Sequence, residues 1–123
     1  MPEDALASRR ILVVEDEYFL ADALSGALAA AGAIVLGPVP SVEAASDLLE
    51  REAPDAVVLD VNLGGEMAYP VADALAARGV PFVFTTGYDL SSLPERFVAV
   101  RRLEKPAETR VILGEIRRLL GGA

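Results

Sequence analysis

Three acids in a row, Glu15-Asp16-Glu17, follow directly on the apolar run Ile11-Leu12-Val13-Val14, and a further acid, Asp60, ends the run Ala56-Val57-Val58-Leu59. Two other apolar stretches end in groups suited to an anion. Val80 to Thr85 leads into Thr86-Gly87, and Val98 to Leu103 leads into Glu104-Lys105-Pro106. Carboxylates held together repel by about 3 kcal/mol per pair, taking a separation of about 5 Å and an effective dielectric of about 20. Such a cluster persists only if it is protonated or neutralised by a cation. With oxygen ligands alone, the cation indicated is Mg²⁺, with Mn²⁺ as a substitute. An Asp beside that ion is placed as a nucleophile toward phosphorus, giving an aspartyl phosphate. Thr86 offers a hydroxyl, Gly87 an unhindered backbone N–H, and Lys105 a compact positive charge for a phosphate. Lys105 is the single lysine in a chain that otherwise uses arginine. The proline after it, Pro106, can adopt the cis peptide form and aim the lysine inward.

Each of these residues also has a plainer reading. An acid after a strand solvates a loop or caps a helix, and Glu17 suits the positive end of a helix dipole. Thr86 can be a turn hydroxyl and Lys105 a solvated charge. Joint placement decides between the readings, and joint placement depends on the fold. Leu20, Ala23, Leu24, Ala27, Leu28 and Ala31 recur at helical spacing until Gly32. A second strand, Ile34-Val35-Leu36, is broken by Gly37-Pro38, and Ser41 caps a helix carrying Val42, Ala45 and Leu49. Pro70 opens a third helix that Gly79 ends, and Ile112, Ile116, Leu119 and Leu120 mark a last amphipathic helix. Ser91-Ser92 and Pro94 spoil any long fourth helix. Strand and helix thus alternate five times. Apolar strands in that pattern predict a flavodoxin-like, doubly wound α/β fold. Its five-stranded parallel sheet has the order 2-1-3-4-5, with helices on both faces. Ligands bind such a sheet at the carboxyl ends of its first and third strands, where Glu15-Asp16 and Asp60 fall.

Length and composition narrow the functions further. A chain of 123 residues is one domain, expected over residues 9–121 after a polar tail at 1–8. The absence of Cys and His excludes disulfides, Cys/His metal sites and Ser-His-Asp or Cys nucleophiles. A net charge of −8 argues against direct nucleic-acid or anionic-membrane binding. No apolar run approaches the roughly 20 residues of a membrane span, and Met1 to Arg10 is unlike a signal peptide. The chain reads as soluble and cytoplasmic.

The set Glu15-Asp16, Asp60, Thr86 and Lys105-Pro106 resembles the receiver domain of bacterial two-component response regulators, the CheY-like family, over about residues 9–120. The resemblance implies that Asp60 accepts a phosphoryl group from a sensor histidine kinase. It implies that Asp16 binds Mg²⁺ directly, Glu15 through water and Asn62 through its backbone carbonyl, while Thr86 and Lys105 contact the phosphoryl oxygens. Two positions depart from the family. Arg102 stands where a switch Tyr or Phe is usual, and Gly64 stands where a proline is usual. Phe84-Thr85-Thr86-Gly87-Tyr88 is similar to the "FAT GUY" run of single-domain regulators associated with HWE-type kinases, so Tyr88 is a candidate switch aromatic. The expected role is a stand-alone phosphorylated switch, acting on a protein target through the face of helix four, strand five and helix five. Arg96, Arg101 and Arg102 make that face less acidic. A phosphate sink without a target remains open. A Mg²⁺-dependent aspartyl-phosphate phosphohydrolase would need a second Asp where Asn62 stands. A flavodoxin would need a Ser/Thr-rich loop where Glu15-Asp16-Glu17-Tyr18 stands. A receiver that binds partners without phosphate would not need the site intact.

Overall fold

Apolar residues spaced two apart along each strand divide the interior into two layers, one on each side of a single parallel sheet. The computed structural model describes residues 4–87 and 93–121. In chain order the elements are β1 Arg10–Val14, α1 Tyr18–Ala30, β2 Ile34–Val39, α2 Val42–Arg51, β3 Ala56–Asp60, β4 Asn62–Leu63, β5 Glu66–Met67, α3 Tyr69–Ala77, β6 Phe82–Thr86, a 3₁₀ turn Glu95–Phe97, β7 Arg102–Glu104 and α4 Thr109–Leu119. The main sheet runs β2-β1-β3-β6-β7. Counting its five strands alone, this is the order 2-1-3-4-5 that the alternation predicts. Leu12, Val14, Val57, Leu59, Phe82 and Phe84 face α2, α3 and the 3₁₀ residue Phe97. Ile11, Val13, Ala56, Val58, Val83 and Leu103 face α1 and α4. β3 is buried along its whole length, so an acid at its end needs a partner.

Local signals set the helix limits. The Ser41 hydroxyl accepts the Ala44 N–H at 3.1 Å, capping α2. Pro70 lies in the first turn of α3. Gly32 and Gly79 follow α1 and α3 with φ of 90° and 69°, a left-handed conformation that ends a helix at no steric cost. Gly64 and Gly65, read from the sequence as a loop, instead join β4 and β5 in a tight hairpin with φ of 65° and 98°. Two consecutive positive φ values are what a two-residue hairpin turn requires.

Three further details differ from the expectations. β2 does not break at Gly37-Pro38. It continues through a cis Gly37–Pro38 bond, and its register with β1 shifts between Leu12 and Val14. The last strand, predicted within Val98 to Leu103, is only Arg102–Glu104. The Val98 and Val100 N–H groups donate to the Glu95 and Phe97 carbonyls, which keeps that stretch in turns. Between β6 and β7, residues 93–101 hold a single 3₁₀ turn, and residues 88–92 of the stretch expected to lack a long helix lie outside the described residues. Residues 4–8, read as a polar tail, are seated on the α1–α4 layer. Leu6 is fully buried in that core, and Asp4 pairs with Arg117 of α4 at 2.9 Å. Leu6→Ala should therefore lower the unfolding free energy by about 3 kcal/mol in urea denaturation. A loss below about 0.5 kcal/mol would place these residues outside the fold.

Candidate functional site

β1 and β3 are neighbours with Val14 opposite Leu59, so the next residues, Glu15 and Asp60, emerge side by side at the carboxyl edge of the sheet. Asp16 follows Glu15, and one carboxylate oxygen from each of Glu15, Asp16 and Asp60 lies within 4.8 Å of the other two. Glu15 and Asp60 are 6 % and 3 % exposed, while Asp16 faces solvent. The compensating charge comes from the far edge of the sheet. Lys105 follows β7, and its Nζ stands 2.8 Å from Asp60 Oδ2 and 3.1 Å from Glu15 Oε1. The Lys105–Pro106 bond is cis. Backbone donors hold the remaining oxygens: the Asn62 N–H donates to Asp60 Oδ1 at 3.1 Å, and the Glu17 N–H to Glu15 Oε2 at 3.0 Å.

These contacts set the protonation of the site. Burial pushes the Glu15 carboxyl up to about 7, and the adjacent Asp60 adds to the rise. The Glu17 N–H and Lys105 oppose it without cancelling it. Burial disfavours the Lys105 ammonium, but its hydrogen bonds and ion pairs with Asp60 and Glu15 outweigh that, leaving its pKa above the ordinary lysine value. Lys105 is the cation that the structure seats on this pair of carboxylates.

A cavity of about 530 Å³ opens in front of Asp60, lined by Asp16, Glu17, Asn62, Gly87 and Lys105 among others. An all-oxygen set of three carboxylates beside open space fits a hard divalent cation. The structure thus brings together Glu15, Asp16, Asp60, Asn62 and Lys105 of the residues singled out in the sequence. Asn62 lines the cavity, and its side chain accepts the Gly65 N–H at 2.6 Å, which ties the β4–β5 hairpin to the site. Thr86 ends β6 and is buried, reaching the cavity rim through Gly87. Arg102 opens β7 beside Phe84, away from the carboxylates. Tyr88 lies outside the described residues. Glu17, given only a dipole role in the sequence reading, lines the cavity as well; its signal was membership of the acidic run. Of the three arginines expected on the β7 side, Arg96 is bidentate to Asp73 and Arg101 pairs with Glu115, so two of those charges are already met.

The family model for the response regulator receiver domain matches residues 11–117. The chain belongs to the response regulator receiver domain family. Among curated relatives, the transcriptional regulatory protein PdtaR of Mycobacterium tuberculosis is 30 % identical over 94 residues, which is 76 % of this receiver domain and 46 % of that protein. The receiver domain therefore spans under half the length of that relative. The solution structure of SdrG from Sphingomonas melonis Fr1 is 41 % identical with a TM-score of 0.78, covering 94 % of this chain and 98 % of that one. A structure of the BeF₃-activated conformation of SdrG from Pseudomonas melonis Fr1 is likewise 41 % identical, with a TM-score of 0.75 over 93 % and 98 % of the two chains. Among the described residues of this receiver domain, no helix is long and apolar enough to cross a membrane.

The raised Glu15 pKa has a measurable consequence for stability. The folded chain binds this proton more tightly than the unfolded chain, so the gain is complete below the unfolded value of 4.5 and disappears as pH rises through about 7. In chelator, the unfolding free energy should fall between about pH 5 and about pH 8, by up to about 3 kcal/mol. Glu15→Gln should flatten that slope. An equal slope in the variant would assign it to another group.

Proposed function

We propose that this receiver domain is a phospho-acceptor of a two-component relay in which Asp60 takes a phosphoryl group from a sensor histidine kinase. The observation that carries the reading is the state of Asp60. It is a buried strand-end carboxylate with one oxygen on an ammonium group, the other on a backbone N–H, and open space in front of it. A carboxylate oxygen of Asp60 attacks phosphorus, the bond from phosphorus to the donor's imidazole nitrogen breaks, and that nitrogen keeps the electron pair. Asp16, Glu15 and Asp60, with the Asn62 carbonyl, would hold Mg²⁺, which supplies neutralisation of the charge gathering on the phosphoryl oxygens. Lys105 then turns from Asp60 to a phosphoryl oxygen, and Thr86 supplies a hydroxyl to another.

The run Phe84-Thr85-Thr86-Gly87-Tyr88 supports placing the domain with the FAT GUY regulators and an HWE-type donor, with Tyr88 in place of the aromatic missing at Arg102. Output passes to a protein target through the face built from the Glu95–Phe97 turn, β7 and α4, where Val98 is 67 % exposed. Phosphate uptake is checked by intact mass after incubation with acetyl phosphate and Mg²⁺. The wild type should gain one phosphoryl adduct, and Asp60→Asn should gain none while keeping its circular dichroism. Equal labelling of the Asp60→Asn variant would overturn the assignment.

A further inference from the structure

The polar row at the carboxyl edge of the sheet has a member that the chemistry above does not use. Asp60 is paired with Glu15's strand on one side and with Thr85 on the other, and Thr85 is paired in turn with Leu103. Side chains alternate along a strand, so Thr85 leaves the sheet on the side of Val83, which packs with Val58 and Leu103 against α1 and α4. Counting two on from Val58 puts Asp60 on that same side, and two on from Leu103 puts Lys105 there. Thr86 alternates the other way, to the side of Phe84. Of the two threonines, Thr85 is thus the lateral neighbour of Asp60, one strand spacing of about 4.8 Å away.

Thr85 is 3 % exposed, and its Oγ1 is fully enclosed with no hydrogen-bond partner among the described residues. Its backbone carbonyl is already taken by the Val61 N–H at 3.0 Å. An enclosed hydroxyl without a partner destabilises the state that contains it, and valine would fill the same space without that cost. The cost is offset if the hydroxyl finds a partner in another state of the protein. Such a partner arises beside it: in the free state Lys105 Nζ occupies Asp60 Oδ2 at 2.8 Å, and that contact is given up when the lysine turns to a phosphoryl group.

We propose that Thr85 is a positioning residue of the phosphorylated state. Its hydroxyl donates to the Asp60 side chain once Lys105 has moved to the phosphoryl group, and so fixes the geometry of the acyl phosphate. The inference rests on Asp60 being the phospho-acceptor. Among the described residues, the β6 neighbour of Asp60 is Thr85 and the next beyond it is Leu103, which has no side-chain donor, while Glu15 on the β1 side is held by Lys105 and the Glu17 N–H.

Beryllofluoride with Mg²⁺ is the probe, and Thr85→Val and Thr85→Ser are the variants. Thr85→Val should melt at or above the wild-type temperature in the free state, yet bind beryllofluoride about five- to ten-fold more weakly, the loss of one hydrogen bond. Its acyl phosphate formed from acetyl phosphate should have a changed lifetime in the same experiment. Thr85→Ser, which keeps the hydroxyl and gives up the methyl group, should restore both toward wild type even if it melts lower. Equal beryllofluoride affinity in Thr85→Val overturns the proposal, as does equal weakening in both variants, which would trace the effect to packing. If wild type itself fails to bind beryllofluoride at Asp60, the phospho-acceptor reading fails first, and the Thr85 role falls with it.

Discussion

Carboxylates that cannot separate and cannot all stay charged are the constraint on which this molecule turns. The backbone leaves Glu15 and Asp60 no choice of position, because both follow directly on paired strands whose side chains are fixed by the pleat. Two adjacent buried anions in such a place are unfavourable by several kcal/mol unless a cation or a proton intervenes. Both remedies are visible. Lys105 lies across the two carboxylates, and Glu15 is held near neutral pH as a proton acceptor. A site so arranged is ready to exchange one cation for another.

The rest of the fold serves to keep that edge in register. Two aliphatic layers lock the sheet from both sides, so the ends of β1, β3, β6 and β7 cannot slip relative to one another without exposing buried side chains. The aromatic chain Phe82–Phe84–Phe97–Tyr69 runs from β6 across the α3 side, with ring centroids 5.3 to 5.8 Å apart. It ties the strand carrying both threonines to the 3₁₀ turn and to the start of α3. Movement at the end of β6 thus has a packed route to the surface that does not pass through position 102, where the family's usual aromatic is replaced by Arg102.

What could be read from the sequence followed the strength of the periodic signal. Ile11 to Val14, Ala56 to Leu59 and Val80 to Thr85 are continuous apolar runs bounded by charge or glycine, and all three became central strands. The edge strands were harder. β7 has only three residues, and Val98 and Val100 imitate a strand while their N–H groups close turns. β2 runs on through Gly37-Pro38 because an edge strand can tolerate a residue without an N–H. Leu6 could not be foreseen, since a single large apolar side chain in a short segment carries no period. The acids and Lys105 were legible because each follows an apolar run that the topology brings to one edge, whereas Asn62 was named only through the family resemblance. Thr85 was not, because two adjacent threonines look alike until the register says which of them faces Asp60.

If Lys105 is the cation that neutralises Asp60 and Glu15, removing its charge must make the site hungrier for a divalent ion. Calorimetric titration of Mg²⁺ into Lys105→Met at a pH above 8, where Glu15 is ionised in the wild type, measures this directly. The account predicts tighter Mg²⁺ binding than in the wild type, by at least several-fold, because the metal no longer competes with an ammonium group for Asp60 and Glu15. Unchanged or weaker binding in a folded Lys105→Met protein would contradict it.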